Sequence, residues 1–145
     1  MKNLKLEIET LQISIYSDII SLVLKNHDII SVNKIITFAY LVKKEKELLK
    51  NVYSGNNTQD VVYKSLSLLT GNFDDYCNTI EFIIKAIHLL TQKGFVLIEN
   101  NLISKTPDIT YKNAMYEESV FMKKAIEASK QMTDRQFMKD VIHYV

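Results

Sequence analysis

Three histidines, one cysteine and one pair of adjacent aspartates are the residues of this chain whose types could carry chemistry. A metal site built on a helix needs its ligands about one turn apart. His27, His88 and His143 have no such spacing among themselves or with flanking acids, so each reads as a structural or surface residue. Cys77 falls beside a capping aspartate at a helix start, a setting that can activate a thiol, but a lone cysteine is more economically a small apolar residue. Asp74 and Asp75 could bind a cation, yet two acids before a helix are more simply its cap. The three glycines are isolated, which excludes a glycine-rich phosphate loop. No serine sits in a strand–turn–helix elbow. No residue is therefore assigned to catalysis, to a cofactor or to a metal, and the chain reads as a non-enzyme.

Composition narrows the class further. The chain has 145 residues, 47% of them apolar, enough for one domain with a real core, and we read 1–145 as that domain. A single cysteine excludes an internal disulfide framework and a multi-cysteine zinc site. No apolar run approaches the ~20 residues that span a bilayer, and the opening MKNLKLEIET carries acids where a secretion signal would be apolar. These features lead us to expect a cytoplasmic protein. The 18 basic and 17 acidic residues leave a net charge of +1. Only Arg135 is arginine, the preferred side chain for bidentate contacts to phosphate and guanine, so a sequence-specific reader of DNA is disfavoured.

The elements that would position any site can be read from periodicity. Leu4, Leu6 and Ile8 alternate with Lys5, Glu7 and Glu9, which predicts a strand or extended arm. A first helix is predicted from Ser14 to Asn26 and a second from Ser31, with Ile35, Phe38, Ala39 and Val42 inward and KKEKELLK (43–50) as a solvated end. Ser54 to Asn57 reads as a loop, and Thr58 as the cap of a third helix bearing Val61, Val62, Leu66 and Leu69 and ending at Gly71. Asp74 or Asp75 is expected to cap the fourth helix, whose inward face would be Ile80, Ile83, Ile84, Ile87 and Leu90. That helix stops at Gly94. Strands at 95–98 and 102–105 follow, joined by Asn100-Asn101, a pair that tolerates the positive φ a tight hairpin turn demands. Leu4–Ile8 could add a third strand. Tyr111 to Ser129 reads as a helix through Tyr116, Val120, Phe121 and Ala125, and Thr133 as the cap of a short closing helix. The predicted fold is mainly α with a small β-hairpin, winged-helix-like, with about six helices.

With the elements in this order, the chain resembles the middle components of bacterial three-component ABC-ATPase systems, among them the small subunit of Lamassu-type anti-phage defence systems. LQISIYSDIISLVL is similar to the family's opening segment and first apolar helix, and VNKIITFAYLVKKEKELLK to its second helix. AIHLLTQKGFVLIENNLI is similar to its helix and wing, and FMKKAIEASKQMTDRQFMKDVI to its closing helices. The family's proline in the first two helices has no counterpart, and MKKAIEA stands where Gly-Lys-Trp is frequent. The resemblance implies a non-catalytic adaptor that joins an SMC- or Rad50-like ABC ATPase to an effector, often a nuclease, in a hetero-oligomeric defence complex.

The residues themselves suggest where such a partner would bind. Tyr16, Ile20 and Leu24 widen the apolar stripe of the first helix, and Met122, Met132, Phe137, Met138 and Tyr144 enrich the closing helices. We therefore expect Tyr16, Ile20, Leu24, Phe137, Met138 and Tyr144 to bind a partner. A DNA-binding winged-helix regulator is the alternative, with Lys85, Lys93 and Lys105 as its phosphate contacts. A small immunity or antitoxin protein also fits the composition.

Overall fold

The computed structural model describes residues 2–48, 58–110 and 115–144. Among them are six α-helices and one three-stranded antiparallel sheet, in the order α1 (Lys2–His27), β1 (Ile29–Ser31), α2 (Val32–Leu48), α3 (Thr58–Leu66), α4 (Phe73–Gln92), β2 (Val96–Glu99), β3 (Leu102–Lys105), α5 (Val120–Ser129) and α6 (Asp134–Tyr144). The loop expected at 54–57, the Thr58 side chain and the start of the helix expected at Tyr111 lie outside the described residues.

The first correction concerns the N-terminal segment. Leu4–Ile8 is helical, and α1 runs unbroken through 26 residues, about 39 Å. Leu4, Ile8, Leu11 and Ile15 also fall at helical spacing. Leu, Lys and Glu are good helix formers, and no Gly, Pro or turn pair separates residue 9 from residue 14. Alternation over six residues lost to continuity over twenty-six. The helix stops at Asp28, which adopts φ 65° while its amide donates to the Leu24 carbonyl at 2.9 Å.

That reversal turns the chain directly into β1, which the sequence reading missed. β1 takes the place proposed for Leu4–Ile8: Ile30 pairs with Ile103 of β3, and the strand order is β1-β3-β2. Ser31 then caps α2, its Oγ accepting from the Lys34 amide at 3.2 Å. α2 is the central helix. Ile35, Phe38, Ala39 and Val42 are buried as expected, and so are Tyr40 and Leu41.

Asn72, with no side-chain capping bond, occupies the position before α4, and Asp74 and Asp75 lie inside its first turn, where acids suit the helix dipole. Asp75 is held outward by the Tyr40 hydroxyl at 2.6 Å and Lys44 Nζ at 3.4 Å. Ile83, Ile87 and Leu90 face the core and Ile80 is half-buried, whereas Ile84 is 51% exposed. At the other end the Phe95 amide returns to the Leu90 carbonyl at 3.0 Å across Gly94, whose φ is +76°. The hairpin follows as expected: Asn100 and Asn101 both take positive φ, 51° and 64°, as a two-residue turn matched to strand twist requires.

The helix expected from Tyr111 to Ser129 is shorter. Residues 115–119 are non-helical and form a strap, because their polar groups are engaged elsewhere in the fold; Lys46 Nζ donates to the Met115 carbonyl, for example. α5 begins only after Ser119, whose Oγ accepts from the Met122 amide. Thr133 caps α6 as read: its Oγ1 accepts from the Gln136 amide at 3.1 Å and Gln136 Oε1 accepts from the Thr133 amide at 3.0 Å, a reciprocal capping box.

Candidate interaction surface

The residues expected to bind a partner are mostly spent inside the chain. Tyr16, Ile20, Leu24 and Phe137 are fully buried, and Met138 and Tyr144 are half-buried against the same core. The second stripe on α1 is its inward face, and Phe137 packs on Phe38 of α2. The excess apolar character of these helices thus fills one core, and the apolar surface open to a partner lies elsewhere.

It lies on the N-terminal half of α1. Leu4, Ile8 and Leu11 are 57%, 52% and 57% exposed, and their four-then-three spacing puts them on one face. The row continues through half-buried Ile15 to buried Ile19 and Leu22, so it runs into the core. Leu6 is exposed on the opposite side. Lys5, Glu9 and Phe82 of α4 frame a notch of about 280 Å³ beside Leu4 and Ile8. On α4, Phe73 and Ile84 are also exposed, in one row with Cys77 and half-buried Ile80.

The lysines proposed for DNA contact are not a basic face. Lys85 is paired with Glu9 and with Glu81 at 3.1 Å; these carboxylates hold its ammonium above the ordinary lysine range. Lys105 pairs with Asp28 at 2.8 Å, which holds the Asp28 carboxyl below its usual range. Lys93 is exposed at the end of α4, beside His88, on a groove of about 620 Å³ between α1 and α4. Asp18 stands in the same groove's lining. Positive charge here is largely answered by negative charge.

The cluster that sequence reading missed is centred on His27. Its imidazole is buried at the end of α1, with Nε2 2.7 Å from Glu118 Oε2 and Nδ1 against Glu127 Oε2. Burial opposes charge on the ring, but the two carboxylates outweigh it and raise the imidazole pKa above the ordinary value. Glu127 is desolvated in part, yet His27 and Lys130 hold its carboxyl below the usual range. Lys130 Nζ also donates to the His27 carbonyl at 2.7 Å. The Glu118 side chain is wholly buried, and its Oε1 has no hydrogen-bond partner. The only local hint was a histidine at a helix end; its partners lie about ninety and a hundred residues further on.

Cys77 and His88 are exposed on the same side of α4 but eleven residues, about three turns, apart. Among the described residues no three His, Cys, Asp or Glu side chains are grouped to hold a metal ion, and no helix is long and apolar enough to cross a membrane. In comparisons with known proteins, the chain matches no family model, no curated protein and no solved structure.

Proposed function

We propose that this chain is a non-catalytic adaptor of the cytoplasm that docks a helical segment of a partner on the N-terminal half of α1. The observation that carries this reading is the exposed row Leu4, Ile8 and Leu11. Three large aliphatic side chains, each more than half exposed at the spacing where a second helix packs, are costly to leave in water. Exposed apolar patches of this kind mark interaction sites. The resemblance to middle components names the partner class: an SMC- or Rad50-like ATPase, whose coiled-coil base would supply the helix. The order of elements also supports a winged-helix reading, since a strand between the first two helices pairs with the hairpin that follows α4.

The test is co-purification with the ATPase encoded beside it. Leu4→Glu combined with Leu11→Glu should abolish the complex while thermal unfolding stays cooperative and within a few degrees of wild type, because both side chains are exposed. Retention of the complex by that variant would refute the site.

The winged-helix order favours DNA binding as a second reading. It requires Lys93 and neighbouring cations to bind phosphate against the acids that now pair Lys85 and Lys105. Salt-sensitive duplex binding lost on Lys93→Glu would support it, and the adaptor reading would then yield.

A further inference from the structure

We propose that Glu118, His27 and Glu127 form a proton-held latch that pins the 115–119 strap to the end of α1, and that removing the shared proton frees the strap while the rest of the fold persists. The inference is independent of the partner reading. A neutral imidazole has one N–H donor and one bare nitrogen, and an ionised carboxylate only accepts. In this cluster both ring nitrogens face carboxylate oxygens, so a neutral ring would set a lone pair against a carboxylate on one side. The geometry is satisfied when the ring carries both protons and donates in both directions.

The neighbouring charged groups fit this assignment. From α5, Lys130 bridges the His27 carbonyl at 2.7 Å and Glu127 at 3.1 Å. From the β1–β3 side, Asp28 and Lys105 are paired with each other at 2.8 Å and largely cancel. From α2, Glu45 approaches the strap rather than the ring: Ser119 hydrogen-bonds its carboxyl, which burial pushes up. Lys46 holds the other end of the strap, through the Met115 carbonyl and over the Tyr116 ring at 4.8 Å.

Loss of the His27 proton has a defined local consequence. Glu118 is wholly buried and its second oxygen is already unpartnered, so the imidazolium is the one charge that answers it within hydrogen-bond reach among the described residues. A buried carboxylate without its counter-charge is strongly disfavoured and is relieved when the segment bearing it moves into water. The strap is free to do so. It is non-helical, and apart from half-buried Tyr116 against the core its ties are polar, whereas α1, α2 and α4 are joined by apolar packing that does not titrate.

Two measurements on the full chain test this. Nitrogen-15 spectra of the His27 ring across a pH titration should show both ring nitrogens protonated at neutral pH and a midpoint above the ordinary histidine range. Amide exchange of 116–119, normalised for intrinsic rate, should accelerate through the same midpoint while α4 stays protected. His27→Gln should remove that pH dependence and speed strap exchange at neutral pH by about a hundredfold, as expected when one partner of a buried pair is lost. If that variant does not fold, Glu127→Gln, at a carboxylate 55% exposed, should lower both midpoints together. A singly protonated ring at neutral pH would overturn the proposal. So would strap exchange that ignores the His27 midpoint, that keeps its pH dependence in His27→Gln, or that keeps the wild-type midpoint in Glu127→Gln.

Discussion

The rings of Phe38 and Phe137 lie 5.4 Å apart, tilted by 41°, and join the central helix α2 to the closing helix α6. Both side chains are completely buried. The contact explains why Phe137, so plausible in the sequence as an interface residue, is unavailable to a partner. Phe137→Ala should cost about 3–5 kcal/mol, the usual range for an emptied aromatic core site, measured by urea unfolding. Ile142→Ala on the same helix, at a side chain 73% exposed, should cost under about 0.5 kcal/mol. Equal effects would mean that α6 does not dock as described.

Gly94 ends α4 and starts the hairpin with φ at +76°, and a Cβ added there would meet nothing within 4 Å. Crowding therefore plays no part; the cost of a side chain is backbone strain alone. Gly94→Ala should destabilise by about 1–2 kcal/mol, and Gly94→Asn by less, because Asn tolerates this region. Thermal unfolding ranks the two variants. The reverse order would contradict the strain account.

Asp75 accepts a hydrogen bond from Tyr40 at 2.6 Å, which, with Lys44 and against partial desolvation, holds its carboxyl below the ordinary aspartate range. A depressed folded-state pKa gives stability that is present above the unfolded value and lost as pH falls through the folded one. Asp75 is 57% exposed, so the contribution is under about 1 kcal/mol. Tyr40→Phe should be less stable than wild type at pH 7, and the difference should shrink in acid below the ordinary aspartate range. A difference independent of pH would assign the effect to packing.

What was legible in the sequence was local. Gly94, the Asn100-Asn101 turn, the start of α2 around Ser31 and the Thr133 cap each act within about five residues, so residue type and spacing were enough. The N-terminal strand was misread because Leu4, Leu6 and Ile8 satisfy two periods at once, and only continuity with Leu11 and Ile15 decides between them. β1 escaped notice because three residues carry no periodicity; Asp28 in positive φ creates it, and pairing with β3 about seventy residues away holds it. The His27 cluster was illegible for the same reason, since its carboxylates come from the far end of the chain. Tyr16, Ile20, Leu24 and Phe137 are buried within their own chain, which was illegible on a different ground: an apolar stripe shows that a side chain is buried, not whether its own chain or another buries it. Tyr16 and Leu4 look alike in sequence, and only the fold separates them.

The proposed docking role of α1 is tested most directly by amide hydrogen exchange of the chain with and without the SMC- or Rad50-like ATPase proposed as its partner. Backbone amides from Leu4 to Leu11 lie on the part of α1 with exposed apolar side chains, where helix opening is easiest. Complex formation should slow their exchange markedly while the α4 face bearing Lys85 and His88 and the 95–105 hairpin stay unchanged. Protection confined to α4 and the hairpin, with Leu4–Leu11 exchanging as in the free chain, would contradict it.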